Sequence, residues 1–497
     1  TLSNGSATLR LAPQVADRDH HHLQRRGDRG TPAAALDGDT CTVELDPIAG
    51  TLWLRCPNAR WETAGWWNEN LFLEREAARG FDCVEDWFCP ATATAGLKAG
   101  QPIRMVASLG SEIPAAEPSP RAVPVAMDPI DRLRRAAERF VVETPRRTSV
   151  LAGYPWFADW GRDTCIALPG LLLSTGRFEL ARHILLDTAA TLRSGRIPNR
   201  FPDIGDEPAY NNADATLWFV RACRSALSVD PEQTFSSALH DPIRSILEHH
   251  AQGSVGDDIG AAPDGLLRCG NPSTNLTWMD AKVHGVPVTP RDGKPVEIQA
   301  LWIDALEFGG ELLGEPRWKH LADAATNAFH RKFVREDGLG LFDRLDSADL
   351  PDPAIRPNQV VAAAVLGDRL PTKTLRNVLT VSERELLTPY GLRTLSPGDR
   401  HYQGVYAGGP EARDAAYHQG TVWPWLIGFH VDLARHVHGP TWDAGTVLGP
   451  LLASLDTFGI DGISEIHGSE PPYPADGCPW QAWSVAEVLR SLLRIAN

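Results

Sequence analysis

Four stretches of the chain crowd carboxyl groups, cations and indoles together, each close to the start of an apolar helical pattern. The first runs from Tyr154 to Asp163 and sets Trp156, Asp159 and Trp160 around a Gly161-Arg162-Asp163 triplet. Arg162 can donate to sugar hydroxyls and Asp163 can accept from them; the other reading of Asp163 is a cap on the helix that follows, and one residue can do both. The second runs from Asn275 to Lys282, where Trp278 and Met279 precede Asp280. An apolar setting disfavours a carboxylate and raises its pKa, which suits a proton donor near neutral pH; taken alone, Asp280 also reads as a solvated loop residue. The third, Tyr417 to Trp425, joins His418 and Gln419 to Trp423 and Trp425. It reads as a sugar platform or as a buried polar pair at a helix start. The fourth, Gly459 to His467, places Glu465 alone between isoleucines, as a general base or as the first-turn acid after a capping Ser464.

Other catalytic signatures are missing from the sequence. It has no phosphate-binding glycine loop, no G-x-G-x-x-G, no H-E-x-x-H and no G-x-S-x-G. Carboxyls, arginine, histidine and tryptophan remain, and a pair of carboxyls is what glycoside hydrolysis needs: one proton donor and one base or nucleophile. The chain has 16 Trp against 7 Tyr. Indole offers an apolar face to a sugar ring and an N–H to a hydroxyl, although any single Trp is as well explained by core packing. No metal-ligand cluster stands out, so neither a metal nor an organic cofactor is expected.

Composition narrows the class. The 497 residues are 43% hydrophobic and 22% charged, with a formal net charge of −15. That balance opposes a nucleic-acid partner, which needs a basic footprint. No apolar run reaches the roughly 20 residues that span a bilayer, so no membrane partner is expected. The eight cysteines are scattered without a C-x-x-C pair, which suits free thiols and a cytoplasmic location. Oligomeric state is not legible.

Residues 1–125 read as a β-rich domain ending in a linker, where Pro114, Pro118, Pro120 and Pro124 exclude helix. Residues 126–497 read as helical, with apolar residues at three- and four-residue spacing. The pattern predicts helices over 130–143, 163–175, 178–192, 211–228, 232–250, 297–313, 315–333, 357–367, 372–382, 418–436, 443–457 and 480–494. Twelve helices make six hairpins. The loops 144–162, 193–210, 251–296, 383–417 and 458–479 are long and rich in aromatic and charged residues, as functional loops are.

With these stretches in order, the chain resembles the amylo-α-1,6-glucosidase domain of glycogen debranching enzymes in its short archaeal and bacterial form. The matching segments are GYPWFADWGRDT, TWMDAKVHGVPVTPRDGKPVEIQALW, GLRTLSP with AAYHQGTVWPWL, and GISEIHG with QAWSVAEVLR. Toward the start, RDHHHL and WETAGWWNENLFLEREAARGFDCVEDWF resemble the same family. The resemblance implies a mainly α fold, an (α/α)6 barrel preceded by a shortened N-terminal β-sandwich. It implies inverting cleavage of α-1,6 branch linkages in glycogen or limit dextrin, with Asp280 as acid and Glu465 as base. It also implies a glucan-binding set of Trp156, Asp159, Trp160, Arg162, Asp163, Trp278, Lys282, Glu297, Trp302, His418, Gln419, Trp423, Trp425 and Gln481. The rival readings are another inverting (α/α)6 α-glucosidase, of glucoamylase or trehalase type, and a glucan-binding protein without activity. A second barrel of the (β/α)8 kind, about 250 residues, has no room here.

Overall fold

The computed structural model describes residues 5–18, 22–28, 30–45, 50–110, 127–143, 147–201, 207–256 and 258–493. The chain divides into two compact units at Val125 and Ala126. The proline-dense run read as a linker lies outside the described residues.

The first unit holds strands β1 (Ser6–Leu11), β2 (Ala34–Asp37), β3 (Thr40–Glu44), β4 (Thr51–Arg55) and β5 (Arg60–Phe72). A short helix, α1 (Glu74–Ala78), leads to β6 (Val84–Lys98) and β7 (Val106–Ser108). They form two antiparallel sheets, ordered β1-β6-β5 and β2-β3-β4-β7. Alternation decides which side chains go inward. Cys41, Val43 and Leu54 of one sheet meet Trp61, Ala91 and Ala93 of the other in one apolar core. The long β5–β6 ribbon is not legible from alternation. Its register shifts twice, between Thr63 and Trp66 and between Asn68 and Leu71, and each shift breaks the two-residue period.

The second unit is helical: α2 (Pro129–Phe140), α3 (Gly161–Leu168), α4 (Phe178–Ala189), α5 (Ala215–Val229), α6 (Gln233–Ala238), α7 (His240–Gln252) and α8 (Val296–Leu313). Then follow α9 (Pro316–Phe333), α10 (Asn358–Leu366), α11 (Thr372–Glu385), α12 (Pro410–Tyr417), α13 (Ile427–His438), α14 (Gly445–Ala453) and α15 (Ala482–Leu493). Six of these pack in a closed circuit. α3 lies against α5, α5 against α8, α8 against α10, α10 against α13, α13 against α15, and α15 returns to α3. Helices of the circuit are enclosed on most sides. Every residue of α3 and α10 is buried, the polar first turns included. Others pack outside it with one apolar stripe each: α2 on α15, α4 on α5, α7 and α9 on α8, and α11 on α10 and α13.

Several predicted helices are revised by local chemistry. The span 232–250 is two helices that meet at Leu239, where Pro242, which has no N–H, cannot bond back to the Ala238 carbonyl. The span 211–228 starts only at Ala215, since Asn212 and Asp214 spend their side chains on other contacts. The span 418–436 starts at Ile427. Val422 and Trp423 are instead extended, paired with Arg393 and Leu392 on one side, and Val422 with His467 on the other. Conversely, α12 forms inside the loop expected over 383–417.

Candidate active site

The loops that precede the circuit helices carry the polar groups. Gly161 opens α3 because the chain there presses on the Pro198 carbonyl, where a side chain would collide. Arg162 and Asp163 follow in the first turn, both buried. The Arg162 guanidinium donates to Asp214 at 2.8 Å and to Asp280 at 3.2 Å. Gln481, at the entry to α15, donates to Asp163 Oδ1 at 3.1 Å. Asp214, just ahead of α5, is absent from the sequence-derived set. The run Asn211-Asn212-Ala213-Asp214 falls within a predicted helix, and it is the polar lead-in instead.

Glu465 lies in the loop before α15. Its Oε1 accepts from the Tyr417 hydroxyl, and its Oε2 accepts from the Cys478 backbone N–H at 2.8 Å. Gly477 takes φ +66°, and a side chain there would strike the Glu465 carboxyl. Asp280 is held through its backbone: Asn275 Nδ2 donates to the carbonyls of Asp280 at 2.5 Å and Ala281 at 3.0 Å.

These acids sense one another. Burial pushes Asp163 up to about 7, with Arg162 pulling it back and Asp280, Glu465 and Asp214 pushing it further. Burial likewise raises Asp280 and Asp214, against the opposing charge of Arg162. Exposure separates them. Asp163, Asp214 and Glu465 are 7%, 1% and 3% exposed, whereas the Asp280 side chain is 37% exposed. Asp280 is therefore the carboxyl that faces open space.

Beside them stands an aromatic cluster. Trp278 meets His418, Trp423 and Trp425 edge-on, with ring centroids 5.4, 5.5 and 5.2 Å away. Its N–H donates to Asn358 Oδ1 at 2.8 Å. His418 stacks on Trp423 and is fully buried, and among the described residues neither ring nitrogen is hydrogen-bonded; burial drives its pKa well below the ordinary value, so the ring is neutral.

The expected glucan-binding set divides accordingly. Arg162, Asp163 and Gln481 join Asp280 and Glu465, and Trp278, His418 and Trp423 adjoin them through Tyr417. Trp302 is a correction. It is wholly enclosed in α8, packed on His250, with its N–H on the Gly265 carbonyl, so no ring face is open to a sugar. Trp425 is also wholly enclosed, stacked on Trp483. Glu297 is buried on Arg291, which also binds Asp343, and Asp343 reaches Trp278 only through Asn358. Gln419 is spent on Arg356 and the Val288 carbonyl. Asp159 pairs with Arg147, and exposed Lys282 donates to the Ser273 carbonyl. Trp156 and Trp160 stay half-buried, and Arg200 lies over the Trp160 ring. A core position and a sugar platform draw on the same residue, which is why sequence alone does not separate them.

A cavity of about 1160 Å³ opens elsewhere, between residues of α5, α8, α10 and α13, and holds none of these four acids. Among the described residues, no group of three His, Cys, Asp or Glu is placed to hold a metal ion. No described helix is long and apolar enough to cross a membrane.

Comparison with known proteins agrees with this layout. The family model described as amylo-alpha-1,6-glucosidase matches residues 135–490, and the model described as glycogen debranching enzyme N terminal matches residues 1–104. A glycogen debranching enzyme of Saccharomyces cerevisiae is 28% identical over 417 residues, covering 64% of this chain and 27% of the yeast protein. The chain thus matches about a quarter of that relative. Among solved structures, GH63 mannosylglycerate hydrolase from Thermus thermophilus, in complex with Tris, superposes with a TM-score of 0.55 at 13% identity. The match covers 73% of this chain and 99% of the other. The same enzyme in complex with glucose gives 0.54 at 13% identity, with the same coverage. These structures share the fold of a helical glycosidase. Set beside the family matches across both units, the buried acids around Arg162 leave one assignment: the chain belongs to the amylo-alpha-1,6-glucosidase family of glycoside hydrolases.

Proposed function

We propose that this protein hydrolyses α-1,6-linked glucose branches of glycogen, limit dextrin or related branched oligosaccharides, with inversion at the anomeric carbon. The observation that carries the reading is the contrast between two carboxyls of one cluster. Asp280 is raised by burial yet open to approach, which suits a proton donor to the glycosidic oxygen. Glu465 is enclosed, and the donors on its two oxygens offset that burial by stabilising the charged form, which suits a base. In the reaction, Asp280 protonates the leaving oxygen while Glu465 takes a proton from water, whose oxygen attacks C1 from the opposite face. An α-linked glucose then leaves as the β-anomer, and exchange with solvent returns both protons. Inversion of this kind needs the carboxyls roughly 6.5–9.5 Å apart, leaving room for the water.

The closed circuit of six helices, with others packed outside it, supports reading the second unit as an (α/α)6 barrel, and two sheets sharing a core support a shortened β-sandwich for the first. Eight unpaired cysteines support a reducing, cytoplasmic setting.

The test compares Asp280→Asn with Glu465→Gln on branched dextrin and on α-glucosyl fluoride, following the released anomer by NMR. Each variant should lose about 10²–10⁴-fold on dextrin. Fluoride needs little protonation to leave, so it should rescue the Asp280 variant and not the Glu465 variant. Rescue in the opposite sense reverses the roles, and α-glucose as first product rules out inversion.

A further inference from the structure

Tyr417 closes α12 and lies beside Glu465. Its ring is wedged among Tyr406, His418 and Trp423, with centroids 5.6, 4.7 and 4.8 Å away. The backbone carbonyl of Tyr417 accepts from the Trp423 indole N–H at 3.0 Å, so both ends of the residue are fixed. Its hydroxyl donates to Glu465 Oε1, and the negative charges of Glu465 and Asp280 both act on it. Tyr417 is therefore held among the two carboxyls of the proposed reaction.

We infer that Tyr417 is a positioning residue: its hydroxyl holds the Glu465 carboxyl ionised and fixes its orientation for taking a proton from water. The inference rests on the proposed role of Glu465. Burial and the neighbouring Glu465 charge push the Tyr417 phenol well above its ordinary value, so it keeps its proton and remains a donor. The Cys478 N–H secures Oε2, and Tyr417 secures Oε1. A carboxylate held at both oxygens by donors has its ionised form stabilised and its rotation restricted. The other ionisable groups acting here are Tyr406 and Asp280 on Tyr417, and Asp163 of α3 and Cys478 beside Glu465, the Cys478 thiol being kept neutral by burial. Among the described residues, none of the named acids other than Glu465 accepts from the Tyr417 hydroxyl.

The experiment is Tyr417→Phe, which deletes one oxygen and keeps the ring. With the whole chain and branched dextrin, kcat should fall about 10–100-fold. The acidic limb of kcat/KM should move up by about one pH unit, because Glu465 loses a donor to its charged form. KM should change less than kcat. If the Phe variant does not fold, fluorotyrosine at position 417 supplies the test: a more acidic phenol is a stronger donor, and the limb must move down. Glu465→Gln is run in parallel. An inactive Glu465 variant with an unmoved limb at position 417 overturns this inference alone. A fully active Glu465→Gln overturns the base assignment, and the inference with it.

Discussion

Two of the charge clusters inside the helical unit differ in balance. Around the amino-terminal turn of α3, the largest charges acting on Asp163 are one guanidinium and three carboxylates, and the acids there are raised. Half-way along α13 and α15, Arg490 donates to Glu487 at 2.5 Å and to Asp432 at 2.8 Å. Nearby, Asp304 of α8 accepts from Arg221 at 3.1 Å and Arg224 at 2.5 Å, and Arg369 pairs with Glu307. In this second region each carboxyl named has a guanidinium on it. Burial raises Glu487 to about 7 all the same, and the cavity of about 1160 Å³ opens onto Asp304 and Asp432; what sets the first region apart is its excess of acid. The difference teaches that burial of charge is not itself a mark of catalysis. A matched set knits helices together, while a mismatched set stores the proton affinity that acid–base chemistry uses.

The comparison can be broken at either end. The largest effect is expected from Arg490→Met, which strands Glu487 and Asp432 in the interior and should cost about 3–5 kcal/mol of stability. Thermal melting would read that loss, while kcat of the molecules that remain folded should stay unchanged. A fall in kcat without a change in melting would show that the matched cluster serves the reaction. Next comes Arg162→Met, which removes the guanidinium common to Asp214 and Asp280. Here kcat/KM on branched dextrin should drop roughly 10²–10³-fold, as misplaced groups and lost charge stabilisation act together. The smallest effect is a slope. A carboxyl raised in the folded state binds more protons there than in the unfolded chain, so its contribution to stability is lost as pH rises between the two pKa values. For Asp163 that window runs from 3.8 to about 7. Asp163→Asn should flatten the decline of melting temperature across that window, and an unchanged slope would show that Asp163 does not titrate there.

Legibility in the sequence follows the same division. Asp280, Glu465, Arg162 and Asp163 stand in short stretches whose composition is unusual for loops, and residue type alone draws attention to them. The circuit helices can be placed from their continuous apolar pattern. Asp214 escapes because it falls inside the helix predicted over 211–228, and its partner Arg162 is 52 positions away. Tyr417 opens one of the four stretches without a role that its type reveals, since only the folded chain brings it to Glu465. Trp302 and Glu297 mislead for the converse reason. Their types suit a sugar site, but α8 is enclosed on nearly every side, and burial is a property of packing that no single helix displays.

The circuit closes through its last member. α15 returns to α3, Gln481 reaches back to Asp163 across 318 positions, and Gly153 pairs with Gln481 in a two-residue ladder. Contacts of such separation are slow to form, because the intervening chain must first be gathered in. The proposed acid is placed by earlier loops and the base by a later one, so during synthesis the site stays unassembled until α15 has emerged. A nascent chain that has not yet presented α15 thus holds the parts of the proposed site without joining them, and activity itself reports that the ring has shut.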